Sequence, residues 1–262
     1  MRKFIALALG CVALALGQDT EKETIQFSNP SAPHKLNVEL IMGNVTVKGY
    51  DGRDVVIDYS TSGIPNIYRR GRAQEPAPPG MHRIGGSRAL DISESNNTVT
   101  IKTSFPINGD FNIQVPADTS VRVNTIGGKA ITIDNISGEI EASNMNGQVT
   151  VTNASGPVVA SSMNGKVTVS LNRVPPDKDM SFSTMNGIVD VTLPADARAN
   201  FKMRADNGDI YTDFDVKLDG QAAPQTGKRR SRDGGTQSGT INGGGPEIQF
   251  TTFNGRIVIH KK

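Results

Sequence analysis

From about residue 45 to the end of the chain, short runs alternate apolar and polar positions, and Gly-containing joints punctuate them. The apolar members are Val45/Val47, Ile131/Ile133, Val149/Val151, Val167/Val169, Val189/Val191 and Ile257/Ile259, with Ile210/Thr212 as a weaker member. Period 2 places each pair on one face of a strand. It places Thr46, Thr132, Thr150, Thr168, Asp190, Tyr211 and Val258 on the other. Most of these runs follow Asn-Gly, as in "NMNGQVTV", "SMNGKVTV" and "TMNGIVDV".

Aligned on Gly, residues 138–173 divide into four units of nine: GEIEASNMN, GQVTVTNAS, GPVVASSMN and GKVTVSLNR. Ser-Gly and Asn-Gly alternate at the joints, so the true period is two units, or 18 residues. A repeat this short cannot bury its apolar face alone and must stack on its neighbours. Asn-Gly recurs at 186–187, 207–208 and 254–255, with Gly127-Gly128 and Gly43-Asn44 as degenerate members. A second phrase, "VPADTSVRV" and "LPADARANF" with "VPPDKDMSF" as a relative, predicts a corner in which Pro ends one strand and Asp closes the turn.

An antiparallel meander with Asn-Gly hairpins is the competing architecture. The strands after Asn-Gly resemble one another more than they resemble the strands before it, which favours parallel columns with Asn146 over Asn164 over Asn186. The pattern therefore predicts an all-β, single-chain β-solenoid over 35–262. It would be a parallel β-helix-like stack of about eight rungs at ~4.8 Å spacing, roughly 40 Å long.

Composition refines this organisation. Residues 1–17 read as a signal peptide: Arg2 and Lys3 precede an apolar run, Phe4–Leu16, too short to span a bilayer, and Gly17 offers a cleavage point. The expected protein is exported, to the periplasm or the cell surface. Lipoprotein anchoring through Cys11 is the less favoured reading. Cys11 is the only cysteine, so cleavage leaves no thiol for disulfides, metal or nucleophilic catalysis. Residues 18–34 read as an N-terminal extension. Two Gly-, Pro-, Ser- and Arg-rich stretches, 62–88 and 219–246, read as long loop insertions, disordered by composition. The net charge of +2 gives no ground for a nucleic-acid partner.

Candidate chemistry is sparse. His34, His82 and His260 fit no metal or protease spacing and read as solvated. "GQAAPQTGKRR" fails as a phosphate loop, because the spacing before Lys228 is too long and Arg229 stands where Ser or Thr is required. Asp190, Asp209, Asp213 and Asp215 could gather on an outer face for acid/base work, although solvated outward side chains are the simpler account of them. The column Met145, Met163 and Met185, with Ile126 and Phe253 as equivalents, reads as core packing rather than as copper ligands. The Thr column is interrupted by Asp190 and Tyr211, which argues against an ice-binding array. The basic insertions offer contacts for an anionic envelope polymer: Arg69, Arg70 and Arg72 in the first, Lys228, Arg229, Arg230 and Arg232 in the second. No catalytic residue, cofactor or metal is expected.

The leader, the "MNGxVxV" and "DNGDI" strands, the "LPAD" corners and the closing "FNGRIVI" together resemble a bacterial secreted β-strand-repeat family labelled "putative adhesin", a domain of unknown function. The similarity covers 35–261 apart from the insertions. It implies a single-chain β-solenoid at the cell envelope and supplies no catalytic residues. Three functions follow as expectations. The first is a non-enzymatic adhesin-like protein for binding or scaffolding. The second is a polysaccharide-active lyase or hydrolase using the Asp190/Asp209 region, and the third is a scaffold that polymerises end to end.

Overall fold

The alternation is realised strand by strand. In Val167–Leu171 and Val189–Leu193 buried and half-buried residues alternate without a break. The computed structural model describes residues 20–62, 90–104, 108–219 and 235–262. Among these the protein is all-β, without a helix.

The chain opens with β1 (Thr20–Gln26), β2 (Lys35–Leu40), β3 (Asn44–Tyr50), β4 (Asp54–Ser62), β5 (Leu90–Ser95), β6 (Thr98–Thr103), β7 (Asn108–Pro116), β8 (Ser120–Thr125), β9 (Ala130–Asp134) and β10 (Ile140–Asn144). Next come β11 (Gln148–Ala154), β12 (Val158–Ser162), β13 (Val167–Leu171), β14 (Met180–Asn186), β15 (Val189–Leu193) and β16 (Ala199–Asn207). The chain closes with β17 (Ile210–Thr212), β18 (Lys217–Leu218), β19 (Gln237–Ile241), β20 (Glu247–Asn254) and β21 (Ile257–Lys261).

They form two large sheets. The 10-stranded sheet runs β1-β4-β7-β3-β9-β11-β13-β15-β21-β17, and the 11-stranded sheet runs β18-β19-β16-β20-β14-β12-β10-β8-β2-β6-β5. From β8 to β15 successive strands alternate between the sheets, and each of β8 to β13 pairs in parallel with the strand two places later. Val149 lies between Ile131 and Val167, each at the 18-residue offset of the repeat.

Both termini break that order. The pair β2–β3 is inserted between β6–β7 and β8–β9, and β20–β21 is inserted between β14–β15 and β16–β17. At the ends the pairing turns antiparallel, in β1–β4–β7, β5–β6 and β18–β19–β16. The sheets are therefore mixed rather than parallel throughout. Two expected boundaries also shift: β1 lies within the presumed extension 18–34, and β19 lies within the presumed loop 219–246.

Three corners carry the chain between sheets. At Pro-Ala-Asp the backbone closes a turn, with the Thr119 N–H donating to Pro116 O at 3.0 Å and the Ala197 N–H to Pro194 O at 3.0 Å. At the Ser-Gly joints Asn135 and Asn153 take left-handed φ of 58° and 53°, a conformation Asn tolerates better than branched residues do. The Asn-Gly joints are corners and not hairpins. The tight hairpin belongs instead to Asn96-Asn97, with φ of 52° and 59°, between β5 and β6.

The core between the sheets is a continuous column of Val, Ile and Ala through the centre. Towards the C-terminal end it widens into an aromatic cluster. Phe250 packs against Phe182 at 5.7 Å and Phe201 at 5.2 Å, and Phe201 meets Phe214 edge-on at 6.2 Å.

Candidate functional site

The Asn-Gly corner has a fixed construction that explains its sequence. Two residues before Asn stands a buried polar side chain: Asn144, Ser162, Thr184 or Thr252. Each donates to the glycine carbonyl of the rung beneath. Ser162 reaches Gly147 O at 2.8 Å, Thr184 reaches Gly165 O at 2.8 Å, Asn144 reaches Gly128 O at 3.1 Å and Thr252 reaches Gly187 O at 3.3 Å. Burial would make these hydroxyls and amides costly if unpaired, so the polar choice is set by the carbonyl it meets. The glycine is set by contact: a Cβ on Gly165 would lie 2.3 Å from Gly147 O. Outside the corner the asparagine amides form a ladder. Nδ2 of Asn207 donates to Asn254, Asn254 to Asn186, Asn186 to Asn164 and Asn164 to Asn146, at 2.8–3.1 Å.

This construction overturns the reading of the Met column as core. The buried polar residue points inward, so the next residue points outward by strand alternation. Ile126, Met145, Met163, Met185 and Phe253 are 42–51% exposed. Beside them on the same face runs a row of small polar residues, Asn124, Ser143, Ser161, Ser183 and Thr251, and Ser161 Oγ donates to Ser143 Oγ at 3.1 Å. Together the two rows line a groove of about 1080 Å³ that crosses the strands of the 11-stranded sheet. An ion pair stands at each end, Lys102–Glu39 at 3.1 Å and Arg204–Asp206 at 2.8 Å. Hydrogen bonds from Asn37 and then Lys102 hold the Glu39 carboxyl below its usual range, against a smaller opposing effect of burial.

The 10-stranded sheet brings together residues that the sequence scatters. Asp190 Oδ2 accepts from Lys166 Nζ at 2.7 Å, and Asp190 Oδ1 lies 3.5 Å from His260 Nε2. His260 Nδ1 in turn lies 3.4 Å from Asp213 Oδ2. Asp209 accepts from the Tyr211 hydroxyl at 3.3 Å, and Asp215 is exposed. Lys166, Ile188, Asp190, Tyr211, Arg256, Val258 and His260 line a notch of about 400 Å³. Of the carboxylates singled out from the sequence, Asp190 and Asp213 therefore share His260, while Asp209 pairs with Tyr211.

His34 also departs from expectation. It is buried, its ring stacks on Phe27 at 4.3 Å, and its Nδ1 lies 3.7 Å from Asp118 Oδ1. His82 and the basic residues Arg69, Arg70, Arg72, Lys228, Arg229, Arg230 and Arg232 lie outside the described residues. Among the described residues no group of three or more His, Cys, Asp or Glu is disposed to hold a metal ion, and no helix is long and apolar enough to cross a membrane. Sequence reasoning missed the apolar row and Arg256. Counting alternation forwards from the core-facing Ala142, Ala160 and Phe182 places all three Met residues outside.

No family model matches the chain. No curated protein matches it either. Among solved structures, a "putative cell adhesion protein" from Clostridium sporogenes superposes with a TM-score of 0.51 at 14% identity, covering 93% of this chain and 100% of that one. A "putative adhesin" from Bacteroides fragilis gives a TM-score of 0.35 at 10% identity, covering 94% of this chain and 98% of that one. At such identities the first likeness speaks to the fold alone, and the second carries no argument.

Proposed function

We propose that this chain is an exported, non-enzymatic protein of the bacterial cell envelope, an adhesin-like β-solenoid that binds an apolar partner surface along the groove of the 11-stranded sheet. The observation that carries the reading is the line of five large apolar side chains, Ile126, Met145, Met163, Met185 and Phe253, held in water on an outer face. Aligned exposed apolar groups of this kind mark interaction surfaces, and flexible Met side chains adapt to irregular partners. Export rests on the leader-like residues 1–17. The adhesive role draws on the fold likeness to the "putative cell adhesion protein".

The in-register parallel centre supports the solenoid reading, with the antiparallel ends as its caps. Edge strand β1 carries Glu21, Lys22 and Glu23, and β17 and β18 are short, features that oppose end-to-end growth. The basic insertions would add contacts to anionic envelope polymers.

The test is binding of the purified protein to isolated envelope fractions. The triple variant Met145→Ser, Met163→Ser, Met185→Ser should bind about tenfold or more weakly, with an unchanged melting temperature. Undiminished binding would refute the groove. A second reading, a polysaccharide-active enzyme, draws on the placement of Asp190 between Lys166 and His260. It requires glycan turnover that disappears in Asp190→Asn.

A further inference from the structure

The geometry points to a second binding site, on the sheet opposite the groove: the notch around Val258 takes a carboxylated sugar unit of an acidic glycan. Three alternate residues of the last rung, Arg256, Val258 and His260, line this notch. Register sets Val258 directly between Asp190 on β15 and Tyr211 on β17. The short valine is thus a floor. Asp190 and Tyr211 rise on either side, their strands ~9.6 Å apart, while Arg256 and His260 stand ~13 Å apart along the same strand. The half-open notch, about 400 Å³, lies within the range of small-ligand pockets.

Each wall offers a different chemistry. The Arg256 guanidinium has no hydrogen-bond or ion-pair partner among the described residues. Its planar fork matches a carboxylate bidentately. Tyr211 is 52% exposed, and its hydroxyl is anchored on Asp209, which leaves ring surface for the C–H face of a pyranose. Asp190 is fixed by Lys166 and His260 and retains acceptor capacity for sugar hydroxyls. A neutral sugar would leave Arg256 unused, and a simple anion would leave Tyr211 unused. A uronate-type unit engages all three at once. The site needs no bond cleavage and is independent of what the groove binds.

Calorimetric titration of the full chain with a galacturonic acid tetrasaccharide tests the assignment, beside its fully methyl-esterified counterpart and a glutamate tetrapeptide. The acid should bind, with the ester and the peptide each at least tenfold weaker. Arg256→Gln and Tyr211→Ala should each lower affinity about tenfold. Val258→Phe should abolish binding by filling the floor while leaving every polar wall in place, with a melting temperature near wild type. The Met145→Ser, Met163→Ser, Met185→Ser variant should bind the acid normally, which separates this site from the groove. Absence of acid binding, equal binding of ester or peptide, or undiminished affinity in folded Arg256→Gln would each overturn the assignment.

Discussion

The centre of the molecule and its C-terminal end use the same corner and the same alternation, yet they are assembled differently. In the centre, chain order is stacking order: β9, β11 and β13 follow one another at a constant offset. At the C-terminal end, β20–β21 returns from far along the chain to lie between β14–β15 and β16–β17, both of which precede it in sequence. The difference has consequences for folding and for function. Local stacking gives the centre its contacts cheaply in loop entropy, whereas the inserted rung completes two sheets only when the last residues are in place. Phe253 extends the exposed apolar row, and Arg256, Val258 and His260 build the notch. Both candidate sites thus draw on this inserted pair of strands.

The largest contrast should come from removing whole rungs. Deleting 147–164, one full period, preserves alternation and joins like corner to like corner, so a cooperatively folded protein is expected in thermal unfolding. Deleting 247–262 removes the strands that pair with β14, β15, β16 and β17. Amides of Val189–Leu193 and Ala199–Asn207 should then lose their hydrogen-exchange protection. Equal tolerance of both deletions would erase the distinction.

Single core positions sharpen it. Phe250→Ala, in the aromatic cluster of the inserted rung, should cost about 3–5 kcal/mol by denaturant titration, against about 0.5–1.5 kcal/mol for Ile131→Val in the centre. At the corner itself, Gly165→Ala forces a Cβ against the Gly147 carbonyl and should cost about 1–3 kcal/mol. Asn164→Ala breaks two exposed ladder bonds and should cost about 1 kcal/mol or less, so the backbone contact outweighs the amide ladder.

The smallest effect concerns the opposite end. Burial pushes the Glu94 carboxyl upward, but hydrogen bonds from the Ser28 hydroxyl and N–H and from the Asn97 N–H outweigh it, and the net shift is downward. A carboxyl depressed in the folded state adds stability at pH values above its unfolded range, and loses it as pH falls through the folded value. Stability should therefore decline slightly more on acidification in wild type than in Glu94→Gln, measured as melting temperature between pH 6 and pH 3, about the carboxylate range.

The sequence made the centre legible because stacked partners sit at one spacing: Val149 with Val167, Asn146 with Asn164. It hid the ends because there the partners are remote. Asn186 receives its ladder bond from Asn254, 68 positions away, and no periodicity signals that distance. The Asn-Gly corners were separable from hairpins because the strands that follow them match one another. The Met row defies its apolar identity for a different reason: Ser162 and Thr184 already occupy the inward positions, so strand parity turns Met163 and Met185 outward. Asp190 was visible as a candidate, but its link to His260 and Asp213 needed the inserted rung.

Disulfide trapping tests that insertion directly, because the only native cysteine is Cys11 and can be replaced by Ser. Parallel neighbours in register are ~4.8 Å apart, within reach of a disulfide, and strands two apart are ~9.6 Å apart, beyond it. The double variants Asn186→Cys/Asn254→Cys and Asn207→Cys/Asn254→Cys should therefore oxidise readily to bridged, folded protein, while Asn186→Cys/Asn207→Cys stays reduced. A bridge between positions 186 and 207, with none to 254, would contradict the inserted rung and both sites built on it.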